Sequence, residues 1–447
     1  MPVSNVYEIG KRSLLAYQSA INTTAGNISN VNNANYARRR VDISQHIVGF
    51  SSLGLSLEES ERMQQKYAQT QLWNENQSLF EYGTSGMLMR QVEDIFSEDT
   101  ESGLSGVMAQ FWDSWNDLAN DPESEYARAL VKDKGVLLAN TFQRIHTDLN
   151  QMQDQIRPQI TIEIQEVNEL TGQIADINQK LMLQESPDLL DERDKLIDKL
   201  TGLIDVKIKE TENGKINIYA DGFLLVGDEF SYRISSETST VNGVEQTDIY
   251  YLDSAKKMTV SSGSLKALLD VHNNRIPDYL SKLDEIAVNV AESVNNIHTT
   301  GENLGGLTNI SFFDSTITGA SDFQVNLAVV QDPGLIATRL PGEAEGSSSI
   351  ALSITDLRLQ KTLNGRNVDE YYQSMIADIG NKIREVDFLE TSQQNVIENL
   401  LNQKESITGI SLDEEMTRMV QFQQSYQAAA KIISTVSEMV DTVLNLR

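Results

Sequence analysis

Apolar side chains recur at both ends of the chain in alternating three- and four-residue steps. Toward the C-terminus they fall at Leu412, Met419, Tyr426, Ile433 and Val440, with a second set at Phe422, Ala429, Val436 and Val443. A spacing near 3.5 gathers both sets on one face of a helix. Ser411 followed by Glu414 predicts where that helix starts, because a capping box satisfies backbone donors that the first turn leaves orphaned. Running to the last residue, it would be on the order of 50 Å long. The N-terminus repeats the pattern with Tyr7, Leu14, Ile21 and Ile28, interleaved with Gly10, Tyr17, Thr24 and Val31. Neither stripe can bury itself alone. The two ends therefore need each other or neighbouring molecules, and the chain reads as built to assemble.

The middle reads in blocks. From about residue 60 to 201 the spacing is helical: Leu138, Phe142, Ile145, Leu149, Met152 and Ile156 share a face, continued after Pro158 by Ile160, Ile164, Val167, Ile174, Ile177 and Leu181. Pro158 lacks an N–H and crowds the preceding turn, so it marks a kink or a new start. Another helix holds Leu104, Met108, Phe111, Trp115 and Leu118 and ends at Asn120-Asp121-Pro122. Residues 206–262 alternate instead: Val206, Ile208, Ile216 and Ile218 flank Asn213-Gly214, a hairpin signal, and Tyr232, Ile234, Ile249, Tyr250 and Tyr251 follow. Helical spacing returns at Ser264, with Leu280, Leu283, Ala287, Val290, Val294 and Ile297 on one face and a kink expected at Pro277. Residues 303–349 are rich in Gly, Ser and Thr, which predicts a loop or a minimal second β element around Phe323–Leu327. Helices resume at about Val368.

The expected fold is α+β and mainly α: a nested, elongated rod of long helices with a terminal coiled-coil domain, a helical bundle and a small inserted antiparallel β domain. Its segments are 1–50 (N-terminal half of the terminal domain), 51–205 (bundle), 206–262 (β domain), 263–302 (return helix), 303–352 (short irregular or β insert), 353–408 (bundle) and 409–447 (C-terminal half of the terminal domain).

Composition removes several classes. The 36 basic and 65 acidic residues give a net charge of −29, which repels phosphate backbones and argues against a nucleic-acid partner. The basic run Arg38-Arg39-Arg40 is too short to reverse that field. Cysteine is absent, so no disulfide staples the fold. Residues 1–28 mix charges with polar side chains and contain no apolar core of a secretory signal, and no apolar run approaches the length of a membrane span. A protein of this kind working outside the cell would leave by a route without a cleaved leader.

Candidate chemistry is sparse. His46, His146, His272 and His298 are far apart and lack ligand spacing, so no metal is expected. Asp188, Asp191, Glu192 and Asp194 could be imagined as an acid pair, but on a helix Asp191 with Lys195, or Asp194 and Asp198 beside Lys199, read more simply as a solvated charged face. Gly301–Gly306 follows no strand and opens no helix, so it does not read as a phosphate loop. The amphipathic ends lack the basic face of a membrane-surface helix. No catalytic residue and no cofactor is expected.

Several segments carry a resemblance. Asn27–Val41 reads NISNVNNANYARRRV, similar to the N-terminal signature of bacterial flagellar axial proteins, the rod, hook and hook-associated subunits. Ser186–Ile208 (SPDLLDERDKLIDKLTGLIDVKI) resembles a stretch particular to the hook–filament junction subunits of that family. Leu104–Ser124, His298–Gly301 and GISLDEEMTRMVQFQQSYQAA at Gly409–Ala429 match in the same order. Where relatives usually carry Thr-Pro-Gly, this chain has Asn33-Ala34-Asn35 before Tyr36; asparagine is the non-glycine residue that best tolerates left-handed backbone. The insert near 303–349 looks shorter than the outer domain of many relatives.

The resemblance implies a structural subunit that self-assembles into the junction between hook and filament. Its partners would be copies of itself, hook subunits, a second junction protein, and an export chaperone on the C-terminal helix before passage through the flagellar secretion channel. The residues expected to carry self-assembly are Leu14, Tyr17, Ile21, Ile28, Val31, Asn35, Tyr36, Leu412, Met419, Phe422, Tyr426, Ile433, Val436, Val440 and Val443. The alternatives are another axial subunit or, from a different class, a secreted hydrolase on a helical scaffold. Converging perturbed polar groups in a pocket would favour the hydrolase; bare apolar helix faces favour the subunit.

Overall fold

The computed structural model describes residues 3–33, 36–48, 51–57, 61–63, 66–96, 103–184, 186–211, 214–241 and 244–445. In chain order its elements are α1 (Val3–Ser29), β1 (Arg39–Arg40), β2 (Ile43–Val48), β3 (Ser51–Leu57), β4 (Glu61–Arg62), α2 (Lys66–Phe96), α3 (Leu104–Asn120), α4 (Glu125–Leu183) and α5 (Pro187–Leu203). Then come β5 (Lys207–Glu210), β6 (Ile216–Ala220), β7 (Phe223–Val226), β8 (Ile234–Val241), β9 (Val244–Tyr251) and β10 (Lys256–Met258). The chain closes with α6 (Ser264–Asp270), α7 (Ile276–His298), α8 (Leu327–Gln331), α9 (Ser349–Asp356), α10 (Val368–Thr408) and α11 (Leu412–Asn445). Long helices with small antiparallel sheets make this an α+β fold dominated by α, as the periodicity predicts.

The chain divides into two compact units, each discontinuous in sequence: 1–77 with 167–232 and 392–447, and 78–166 with 233–391. The nesting read from the order of blocks is thus present, but the boundaries differ. The expected single β domain at 206–262 is two sheets. Strands β5-β6-β7 belong to the first unit and β10-β9-β8 to the second. Alternation identifies strands but not their partners; here the chain turns at Gly227, whose N–H donates to the Phe230 carbonyl, and leaves before β8. The β6–β7 hairpin is closed by Asp221-Gly222 with positive φ (45° and 78°), the backbone that a tight primed turn demands. Two further antiparallel pairs, β1–β4 and β2–β3, lie in a stretch whose spacing predicts no strand.

Proline positions resolve in opposite ways. Pro158 sits inside the 59-residue α4 without ending it. Pro277 lies at the start of α7, directly after a π-helical turn at Val271–Arg275. In that turn the Ile276 N–H reaches back five residues to the Val271 carbonyl, and the next residue, Pro277, has no N–H to donate. Asn273 in that turn clasps β9 on both sides, accepting from the Thr247 N–H (2.8 Å) and donating to the Thr247 carbonyl (2.8 Å).

The glycine-rich stretch 303–349 packs as a compact lobe of the second unit. Phe312, Phe313 and Phe323 are fully buried against Phe111 and Trp115 of α3 and Phe142 of α4, with ring centroids 4.9–5.9 Å apart. A Cβ on Gly135 would come within 2.9 Å of the Phe312 ring, so that helix position must lack a side chain. His298, fully buried at the end of α7, bonds the lobe from both nitrogens. Nδ1 donates to the Ile310 carbonyl (2.6 Å) and Nε2 accepts from the Ala337 N–H (2.9 Å). Only the neutral ring can do both, and burial pushes its pKa down from 6.5 to about 4.

The unfolded chain therefore takes up a proton at His298 near pH 6.5 and the folded chain only near pH 4. The stability this clamp contributes is complete above about pH 6.5 and is lost as pH falls toward 4, an effect of about 3 kcal/mol. Denaturant unfolding of the protein and of His298→Gln across this range checks it. The gap between them should be wide at pH 7 and narrow by pH 4; a constant gap would remove the clamp from the account.

Candidate functional site

In the first unit α1 and α11 lie against each other, so the two ends of the chain bury part of their stripes in one molecule. Several of the residues that α1 buries are small. Gly10, Ala16, Ala20 and Thr24 are buried, and a Cβ on Gly10 would stand 2.9 Å from Ile433 Cγ1. Tyr17 and Phe422 pack ring against ring at 6.5 Å, and Ala429 and Val436 are buried on α11.

Below this seam, the segments that carry the resemblance converge on one polar network. Asn27, buried in the last turns of α1, uses its whole hydrogen-bonding capacity. Its Nδ2 donates to the Arg39 carbonyl (2.9 Å) and to Glu415 Oε2 (2.9 Å), while its Oδ1 accepts from the Tyr36 hydroxyl (3.0 Å) and the Arg39 N–H (3.0 Å). Glu415, in the first turn of α11 and also buried, accepts from Arg38 at 3.0 and 2.7 Å. Arg38 reaches Glu414 as well, at 2.9 Å. Glu414 thus pairs with a cation where the capping box predicts a bond to Ser411.

The network continues into α5. Arg39, lying over the Tyr36 ring at 4.8 Å, pairs with Asp188 and with Asp191 (3.2 Å). Arg62 of β4 bridges Asp191 (2.8 Å) and Asp194 (2.7 Å). Asp194 also holds Arg193 (2.7 Å), which donates onward to the Gly214 carbonyl. Asp198 accepts from the Trp73 indole N–H (2.6 Å). Of the acidic series expected to be a solvated face, Asp188 is exposed, while Asp191, Asp194 and Asp198 lie on the inner face of α5. Its three- and four-residue steps turn Asp188, Asp191, Asp194 and Asp198 toward arginines and an indole that lie more than 100 residues away in sequence. Burial raises the Asp191 carboxyl above the ordinary range, with Arg62 and Arg39 pulling it back. Burial also opposes the charge of Arg38, but its bonds to Glu414 and Glu415 more than offset that and leave its pKa raised.

The expected assembly residues are placed as follows. Leu14, Tyr17, Ile21, Ile28, Val31 and Tyr36 are half-buried, as are Met419, Phe422, Tyr426 and Ile433; Val436 is buried. Leu412 and Val440 stay exposed, at 42% and 41%. Asn35 and the side chain of Val443 lie outside the described residues. Sequence reasoning missed Asn27, Arg38, Arg39, Arg62 and Glu415. Their one visible signal is a basic run matched, far along the chain, by aspartates at helical steps.

Two of the perturbed groups elsewhere are held in structural bonds. Glu163, pushed up to about 7 by burial, accepts from Ser264 Oγ (2.8 Å), and His298 is occupied by two backbone groups. Among the described residues no cluster of His, Asp and Glu could hold a metal ion, and no helix is long and apolar enough to cross a membrane.

The hub joins the very segments that resemble axial flagellar proteins, and comparison agrees with that resemblance. Residues 405–446 match the C-terminal region of flagellar basal body rod FlgEFG proteins. Residues 89–313, half of the chain, match the flagellar hook-associated protein FlgK helical domain, and the chain belongs to that family. Flagellar hook-associated protein 1 of Bacillus subtilis (strain 168) is 27% identical over 495 residues, covering 98% of this chain and 97% of the relative. Its counterpart in Salmonella typhimurium (strain LT2) is 23% identical over 554 residues and all of both chains. Alignments longer than 447 residues mean that these relatives carry segments this chain lacks. A flagellar hook junction protein FlgK from Burkholderia pseudomallei shares the fold, with TM-score 0.67 at 13% identity over 76% of this chain and all of that one.

Removing one partner of a buried pair leaves the other charge uncompensated. Glu415→Ala orphans one N–H of the buried Asn27 amide and leaves Arg38 only the exposed Glu414, and should lower the stability of the first unit by about 2 kcal/mol. Arg40→Ala breaks only the exposed pair with Asp42 and should cost under about 1 kcal/mol. Chemical denaturation followed by hydrogen exchange in α1 and α11 compares them; equal effects would deny the hub its role.

Proposed function

We propose that this chain is a structural subunit of the bacterial flagellum that forms the junction between hook and filament. The observation that carries the reading is the way α1 and α11 meet. Their contact buries part of each apolar stripe, and other large apolar side chains remain outside. Met416, Val420, Ile432 and Met439 of α11 are exposed at 53%, 52%, 43% and 56%, and Tyr7 and Leu15 of α1 at 44% and 51%. Such a surface on an otherwise acidic protein suits burial between neighbouring subunits. In this reading the expected assembly residues divide their work. Tyr17, Phe422, Ile433 and Val436 hold the two ends of one chain together, and Leu412 and Val440 join the outward face.

Finer parts of the reading rest on the family. Hook subunits and a second junction protein would be the axial neighbours, and a chaperone would cover α11 before export through the flagellar channel. No turnover is expected on peptidoglycan, peptide or ester substrates, since Glu163 and His298 are each held in structural bonds.

Met416→Asp combined with Val420→Asp puts charges on the outward face and spares the contact with α1. The purified variant should unfold at the same midpoint as the wild type. Cells carrying it should build hooks, lack attached filaments and shed flagellin, while exposed Gln427→Ala should be silent. Normal motility with the double variant would refute the outward face as an assembly surface.

A further inference from the structure

Arg128, near the start of α4 in the second unit, is a fully buried cation without an acidic partner. Its Nε and Nη2 donate to the Pro122 carbonyl (3.2 and 2.6 Å), Nη1 to the Ile336 carbonyl, and Nη2 to Thr338 Oγ1 (3.2 Å). Of its five N–H groups one remains, and among the described residues no carboxylate lies within ion-pair distance. Desolvation and the nearby Arg339 lower its pKa to about 10, the signature of a charge whose compensation is missing.

A second uncompensated group lines the same cavity, of about 260 Å³. Asn303 is 2% exposed. Its Oδ1 accepts from the Gly305 and Leu307 N–H groups (both 2.9 Å), but its buried Nδ2 has no partner. Arg339, also lining the cavity, is held by Glu302 at 3.0 Å. The other charges on the lining are Glu123 and Glu345, both exposed. Inside, the cavity offers a guanidinium and amide donors; its carboxylates sit at the rim. An orphan donor and an unpaired cation each cost free energy that one ligand would recover.

We propose that this cavity binds a small oxyanion, a phosphate-like ion or a carboxylate, between Arg128, Arg339 and the Asn303 amide. Charge-assisted bonds from guanidinium to such an ion are the strong kind. The rim carboxylates exclude long polyanions, so the ligand is compact. Bound, it ties the 303–307 turn and the 336–339 segment to the start of α4, and closes the lobe that His298 clamps from the other side.

The test is the melting temperature of the full chain against inorganic phosphate, sulfate or acetate, with chloride keeping ionic strength and pH constant. A ligand that binds only the folded state raises Tm along a saturation curve, whereas general salting effects grow linearly. Wild-type protein should show the saturable component with at least one of these ions. Phosphate and sulfate identify an inorganic ion, and acetate alone identifies a carboxylate source. Asn303→Asp keeps the acceptor that holds the turn and supplies the missing negative charge, so it should melt higher in chloride and lose the saturable component. Arg339→Gln should shift the curve to higher ligand concentration, and it carries the comparison if Asn303→Asp does not fold. No saturable component in wild-type protein, or the same one in both variants, would overturn the proposal.

Discussion

The carboxamide of Asn27 holds together parts of the chain that lie 388 residues apart. It binds Glu415 at the head of α11, the backbone of Arg39 and the hydroxyl of Tyr36, and has no bonding capacity left over. Closing so long a loop has an entropic cost that grows slowly with length, and a buried, fully satisfied cluster can meet it where an exposed ion pair could not. Each further arginine extends the hub: Arg38 into α11, Arg39 and Arg62 into α5. The seam between α1 and α11 depends on this register. Gly10 can meet Ile433 only if the two helices are fixed along their length, and the hub fixes them.

The two units solve the problem of cohesion differently. The first joins distant segments by directional charge pairs, which specify one register and penalise a slip. The second relies on a close-packed aromatic core of Phe111, Trp115, Phe312, Phe313 and Phe323, with His298 as its polar clasp. This division suits a subunit whose terminal helices have to be presented in a defined arrangement to neighbours. Their pairing buries part of the apolar stripes and leaves other large apolar side chains outside, where a monomer gains nothing from them.

Much of this was legible from the residues. The heptads at both ends give α1 and α11, the alternation after Val206 gives strands, and Asn120-Asp121-Pro122 ends α3 as expected. The hairpin signal singled out, Asn213-Gly214, falls partly outside the described residues, and Asp221-Gly222, which closes β6–β7, was passed over. Periodicity works at this level because it records which side of an element faces apolar surroundings, a local property of spacing. The motif around Leu189-Leu190-Asp191-Glu192-Arg193 pointed to the right family, although its acids looked like surface charges.

Tertiary structure decided the partners. A helical series of aspartates is equally compatible with water and with a row of arginines, and only the fold brings Arg39 and Arg62 opposite α5. The same holds for the strands at 206–262, whose pattern fits one sheet or two, and for the glycine-rich stretch, whose three phenylalanines gain a core only when α3 and α4 surround them. By itself the sequence determined the elements, their faces and the kinship of the chain, since these follow from local spacing and composition. Pairing over hundreds of residues depends on which surfaces exclude water together, and that is settled only once the chain has closed.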